Sequence, residues 1–165
     1  MNIFIFSEDI EENVKSHCDK HCVKMIVEYA QLLSTAHHLK ESSVDLSKIY
    51  KPTHKNHPST LWTISSEGNY NYLYNLFIAL SKEYSRRYKR VHKTFATLGD
   101  ILKVPPKGLR SSTRSSFAIV VSNNQDTSKG AVEAYREYFV KEKRHIATWK
   151  YSEVPKWFLE KTLDK

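Results

Sequence analysis

Between residues 14 and 38 the chain leaves almost no polar face wide enough to meet water, and this restricts its fold more than any other feature. Read as one helix, Val14, Cys18, Cys22, Met25, Ile26, Tyr29, Leu32, Leu33 and Ala36 fill one broad flank, and Val23, Val27 and Ala30 occupy the back. A helix that is apolar nearly all round belongs inside a domain. What remains is a stripe of His17, His21, Lys24, Glu28, Gln31, Thr35 and His38. Steps of four and three at about 100° per residue hold these seven within roughly a quarter of the circumference. An ionisable stripe on a buried helix predicts a cleft, where side-chain pKa values are readily shifted into a useful range.

Turn-forming residues are scarce, with 4 glycines and 5 prolines in 165 residues. An all-β sandwich or barrel needs far more turns, so helices dominate the expected fold. The fold class that follows is α+β, a mostly α-helical single domain over residues 1–165 with a small β-sheet. Asn2 to Phe6 reads as a short buried strand, and Phe117 to Val121, an apolar β-branched run, as the strand that pairs with it. Ser7 is the expected cap of a helix that runs to about Lys40. Ser42 to Thr53 is a connector, and Pro58 opens a helix containing Leu61, Trp62 and Ile64. Gly68 breaks the chain before a helix, capped by Asn69 or Asn71, whose buried face carries Leu73, Leu76, Phe77, Leu80, Tyr84, Tyr88 and Val91. The stretch from Pro105 to Ser116 is a polar, basic and mobile loop. A last helical region runs from about Gly130 to Trp149, with a short C-terminal helix near Pro155.

Two cysteines one helical turn apart, Cys18 and Cys22, are too few and too local for a secreted disulfide framework. The N-terminus leads straight into Glu8 and Asp9, unlike a signal peptide, and no apolar run reaches the length of a membrane span. The expected location is cytoplasmic. A net charge of +8 calls for an anionic partner. Nucleic acid, DNA ahead of RNA, fits best. The oligomeric state is left open.

Phosphate-loop, dinucleotide, HExxH and nucleophile-elbow motifs are all missing. The chemistry therefore rests on clusters. His17, His21, Lys24 and Glu28 make a compact acid and base set, in which imidazole moves a proton, lysine stabilises developing negative charge and the carboxylate orients either. A divalent metal on His17 and His21 is a possible cofactor if Glu28, His54 or His57 completes its shell, whereas the cysteines point away from the stripe. The bland alternative is an ordinary Lys24–Glu28 pair one turn apart with both histidines hydrogen-bonded in the core. His38 lies roughly 30 Å along the axis from His17 and cannot share one small site with it.

His54 and His57 precede Pro58 at a helix start, where free amide groups can hold a phosphate; a plain capped helix start reads equally well. Cations interleave with aromatics at Arg86, Arg87, Lys89, Arg90, His92 and Lys93, and again at Tyr138 with Lys141, Lys143 and Arg144. Arg110 and Arg114 add charge in the loop. Such patterns supply phosphate contacts and stacking surfaces, although Tyr84, Tyr88 and Tyr135 match buried helix faces.

The run His17-Cys18-Asp19-Lys20-His21, with Lys24-Met25, Glu28, Ala30-Gln31-Leu32-Leu33 and Ala36-His37, resembles a family of small proteins of tailed phages and other large DNA viruses. Asn56-His57-Pro58-Ser59 with Trp62, Asn71 to Tyr74, Glu83-Tyr84 and Tyr135-Arg136 with Tyr138 carry the likeness further, leaving out Pro105 to Asp126. The resemblance implies a viral setting in a host cytoplasm and names no reaction. The expectation is a phage-type enzyme acting on DNA or RNA by cleavage, base excision or base modification. His17, His21, Lys24, Glu28 and His57 would do the chemistry. His54, Arg86, Arg87, Lys89, Arg90, His92, Lys93, Arg110, Arg114 and Tyr138 would hold the strand. The competing expectations are a non-catalytic viral protein that binds nucleic acid or a host protein, and an enzyme on a small nucleotide.

Overall fold

The computed structural model describes residues 1–163. Asn2 to Phe6 and Phe117 to Val121 hold no regular secondary structure in it, and neither belongs to a sheet. The expected α+β class is corrected to an all-helical one, since the described residues hold seven α-helices and one isolated bridge, Glu41 to Lys107.

Side chains explain the missing sheet, because they bond the backbone that a neighbouring strand would otherwise have bonded. Asn13 donates from Nδ2 to the Phe4 carbonyl at 3.0 Å and accepts the Phe6 amide on Oδ1 at 2.7 Å. The Phe4 amide donates to the Tyr29 hydroxyl at 3.3 Å, and Arg136 Nε donates to the Phe6 carbonyl at 2.8 Å. The second segment is treated alike: the Val120 amide donates to the Tyr135 hydroxyl, and Asn2 Nδ2 donates to the Val120 carbonyl at 2.8 Å. The first segment thus runs through the core without a ladder, with Ile5 and Phe6 fully buried.

Helices α1 (Ile10–Ser16) and α2 (Asp19–Leu39) replace the single helix expected from Ser7 to Lys40. Asp9 caps α1 by accepting the Glu12 amide, while Ser7 accepts the amide of Asp9. The helix ends at His17 because its last carbonyls are taken by side chains. His17 Nδ1 bonds the Asn13 carbonyl at 2.8 Å, and Arg87 Nη2 reaches the carbonyls of Val14 and Lys15. With the break there, the seven-residue stripe loses its first member.

Four more helices follow: α3 (Pro58–Ser65), α4 (Glu67–Tyr88), α5 (Lys93–Leu98) and α6 (Ala131–Tyr138). Helix α6 continues through a wide turn at Phe139–Lys143 and a tight one at Arg144–Ile146, and α7 is Lys156–Leu163. The long helices α2 and α4 are antiparallel neighbours at the centre. The start of α4 meets the end of α2 where Tyr70 contacts His37 Nε2 at 2.9 Å, and Arg87 at its end approaches Asp19 at 3.5 Å.

Gly68 lies inside α4, capped by Ser66, instead of breaking the chain. A Cβ there would sit 2.4 Å from the Arg114 amide nitrogen and 2.5 Å from the Thr113 carbonyl carbon, so glycine is what admits the loop. The amides of Glu67 and Gly68 bond the Ser111 carbonyl, and Asn69 exchanges bonds with Ser115. The Pro105 to Ser116 segment, expected to be mobile, is clamped at its C-terminal half to the first turn of α4.

Candidate functional site

His17 is fully buried and makes a closed chain of hydrogen bonds. Its Nδ1 faces a carbonyl, which only accepts, so Nδ1 carries the proton and Nε2 accepts from Tyr29 Oη at 2.8 Å. Burial, opposed by that bond to Asn13, pushes its pKa down to about 4. His21 stacks on Phe4 with ring centroids 4.5 Å apart and meets the edge of Phe139. It is 5 % exposed, and burial, helped by the charges around it, lowers its pKa to about 3. The two histidines expected at the heart of the chemistry are therefore neutral, and His17 is sealed from solvent. Cys22 lies fully buried beside them, its thiol pushed up to about 12 by burial.

Further along α2 the connector covers the stripe. Thr35 Oγ1 accepts the Thr53 amide at 3.1 Å, and His38 Nε2 donates to the Tyr50 carbonyl at 3.0 Å. The uncovered part of the stripe is Lys24 and Glu28. Lys24 Nζ lies 3.5 Å from Glu28 Oε1, and the α-amine of Met1 lies 3.9 Å from Glu28 Oε2. The buried segment delivers Met1 to this spot.

His57 joins them. Its pKa is lowered first by burial and then by the positive charges of Met1 and His54, with Glu28 acting the other way. Nδ1 accepts the Ser59 amide at 3.1 Å, so the start of α3 is capped by its own histidine, as the plainer sequence reading has it. His54 is exposed at the same turn, 6.3 Å ring to ring from His57. The structure thus pairs Glu28 with Lys24 and Met1, puts His57 within electrostatic reach of Glu28 with His54 on the same turn, and buries His17 and His21 in the core. The Met1 amine escapes pattern reading because nothing local in the sequence says where a buried segment will end up.

Much of the basic segment at the end of α4 is engaged within the fold. Arg87 has no exposed side-chain surface and bonds Glu83 at 2.9 Å, and Arg86 Nη2 lies 2.6 Å from the same carboxylate. Burial alone would raise the Glu83 carboxyl, but the bonds from Arg86 and Arg87 outweigh it and hold it below the usual carboxylate range. Arg90 donates to the Tyr84 hydroxyl and lies over that ring. His92 caps α5 through the Thr94 amide and bonds the Val23 carbonyl at 3.2 Å. Lys89 closes α4 in the left-handed region with φ 56°, and Lys93 begins α5 with its side chain exposed.

His92 meets α2 at Val23, which is five residues from Glu28 and at about 100° each lies about 140° round the helix from it. On the loop, Arg114 lies 4.0 Å over Phe117, 5.3 Å over Tyr72 and 3.9 Å from Glu8, and Arg110 is exposed. Tyr138 is half-buried on the core with Lys143 5.9 Å above its ring. Asn69, expected as a helix cap, is instead buried and clamps Trp62 and Ser115.

A cavity of about 970 Å³ opens elsewhere, between α1, α7 and residues 151–155, lined among others by Arg86, Arg136, Tyr151 and Trp157. It shares no residue with the Lys24–Glu28 site. Among the described residues, no three of the His, Cys, Asp and Glu side chains are grouped to hold a metal ion, so the residues do not fit the divalent metal considered for His17 and His21. No helix among them is long and apolar enough to cross a membrane.

The arrangement defines an all-helical protein with a carboxylate paired to two amines and an imidazole within its electrostatic reach. No family model, curated protein or solved structure matches the chain.

Proposed function

We propose that this protein is an enzyme of the nucleic-acid-processing class, of viral type, that excises a base from DNA at the Glu28 site. One observation carries the reading: the primary amine of Lys24 lies 3.5 Å from the Glu28 carboxylate, and that carboxylate acts electrostatically on His57. An amine paired with a carboxylate, with an imidazole nearby to carry a proton, is the equipment for attack on an anomeric carbon.

In that step the amine nitrogen bonds to C1′ of an unstacked nucleoside as the glycosidic C–N bond breaks. The proton lost by the amine passes to His57 or Glu28 and leaves with the base. The C1′–O4′ bond then opens, O4′ takes a proton, and an imine links protein and sugar until water releases it. Glu28 stabilises the positive charge on C1′ and nitrogen. His17 and His21 are positioning residues in this scheme, holding in place the buried segment beside Glu28.

The experiment is reductive trapping. The protein is incubated with an abasic-site duplex, whose sugar presents the aldehyde, and treated with borohydride. A covalent adduct mapping to Lys24 is expected. An adduct spread over surface lysines, or none, overturns the reading.

The cavity favours a second reading. Its volume suits a mononucleotide. Arg86 and Arg136 could meet phosphate, with Trp157 and Tyr151 as apolar wall. Nucleotide binding lost in Arg136→Gln and kept in Glu28→Gln would select it.

A further inference from the structure

The cavity between α1, α7 and residues 151–155 has a guanidinium with unspent donors on its floor. Arg136 Nε donates to the Phe6 carbonyl at 2.8 Å, and the guanidinium carbon lies 5.5 Å over the Trp157 ring. Trp157 in turn stacks on Phe6 with ring centroids 5.2 Å apart and donates its indole N–H to Ser16 Oγ at 3.2 Å. Phe6, Ser16 and Trp157 are all buried, so half-buried Arg136 is laid on a fixed platform. Only its Nε is used. Among the described residues the two terminal nitrogens of Arg136 bond nothing and face no carboxylate in an ion pair.

Arg86, also on the cavity wall, is spent. It holds Glu83 at 2.6 Å and donates to Ser152 Oγ at 2.9 Å. Arg136 is therefore the arginine left to meet a ligand, and a guanidinium with both terminal nitrogens open matches two oxygens of one anion in a fork. The rim differs from the floor. Exposed Lys15 and Lys156 stand there with exposed Glu12, Glu153 and Glu160, so it carries both signs. A ligand suited to this is anionic at its inner end and rich in donors further out. A nucleotide has that polarity, with phosphate at one end and sugar hydroxyls and base N–H groups beyond it. Tyr151, exposed and held edge-on to Tyr88 at 5.8 Å, offers the base a ring at the mouth.

We infer that the two terminal nitrogens of Arg136 seat the terminal phosphate of a nucleotide. The floor decides for an end group: Phe6, Ser16 and Trp157 close the way past Arg136, and about 970 Å³ has room for one nucleotide, so no chain continues inward from the phosphate. The inference rests on the nucleotide reading of the cavity and narrows it to a phosphomonoester, taken by Arg136 and not by Arg86. A free nucleotide and the phosphorylated end of a strand offer the same chemistry.

Calorimetric titration of the full chain compares a nucleoside 5′-monophosphate with its nucleoside. The monophosphate is expected to bind at least about tenfold more tightly, with inorganic phosphate competing. Arg136→Gln should bring the monophosphate down to the affinity of the nucleoside, whereas Lys103→Gln, which removes the same charge from outside the cavity, should change it by less than about twofold. Because Arg136 also supports Phe6, its Nε is followed by NMR in the parent protein as well. A shift with the monophosphate and none with the nucleoside is expected. Equal affinities for the two compounds, or an Arg136 signal unmoved by bound monophosphate, overturn the seat and leave the nucleotide reading of the cavity standing. Binding of neither removes both. A 5′-phosphorylated trinucleotide that binds like the monophosphate, with its 5′-hydroxyl form at least about tenfold weaker, assigns the seat to a strand end; exclusion of both trinucleotides assigns it to a free nucleotide.

Discussion

The hydroxyl of Tyr29 donates to Nε2 of His17 across 2.8 Å, and this bond requires a neutral imidazole. A proton on Nε2 would set two donors face to face inside the core, with the Phe4 amide already using the hydroxyl oxygen. His17 and His21 are therefore held neutral, at pKa values of about 4 and about 3 against 6.5 in an unfolded chain. The unfolded state binds more protons than the native state between those values. Stability is thus full above about pH 6.5 and declines as pH falls toward about 4, each histidine contributing on the order of 3 kcal/mol. Urea unfolding at pH 7 and pH 5 checks this, and equal midpoints would contradict it.

Asn13 stands in for a neighbouring strand. Asn13→Leu leaves the Phe4 carbonyl and Phe6 amide buried and unbonded, which costs about 2–6 kcal/mol at 1–3 per group. Chemical denaturation measures the loss. Asn13→Asp should be at least as damaging, because it returns no donor to Phe4 and buries a charge.

How much of this was legible in the sequence differs from residue to residue. The apolar flanks of α2 and α4 follow from helical spacing, and the core contains Cys22, Met25, Leu33, Leu73, Phe77 and Leu80 as that spacing requires. The burial of Asn2 to Phe6 was legible too, but its partners were not. Asn13, Tyr29 and Arg136 are scattered in sequence, and only tertiary packing makes them bond one segment. The break at His17 was hidden for the same reason, since Arg87 reaches it from 70 residues on. Lys24 and Glu28 are neighbours by helical arithmetic, whereas Met1 reaches Glu28 only through the fold.

Arg87 and Arg86 look alike in sequence and should behave differently. Arg87→Met takes the buried one of the two guanidinium partners from Glu83, removes the ion pair of Asp19 and leaves the Val14 and Lys15 carbonyls without their partner, so a loss of about 3–5 kcal/mol is expected. Arg86→Met removes a half-exposed partner of Glu83 and should cost about 1 kcal/mol or less. Thermal unfolding of the two variants, side by side, decides the matter.

Gly68 offers a sign test. On helix propensity alone Gly68→Ala in α4 would gain about 1 kcal/mol. The added Cβ would instead press on the backbone at Thr113 and Arg114, 2.4–2.5 Å away. Net destabilisation of about 1–3 kcal/mol is expected, together with faster amide exchange at Ser115, whose amide bonds Asn69. A stabilised variant would show that the loop is not clamped.

The most direct measurement of the central claim is single-turnover reductive trapping with Glu28→Gln, which keeps the shape of the side chain and removes its charge. The account predicts an adduct yield at least 100-fold lower in rate, on the scale of one lost transition-state charge contact, with unchanged stability and unchanged oligonucleotide affinity. A Glu28→Gln protein that traps the abasic sugar as fast as the parent would contradict it.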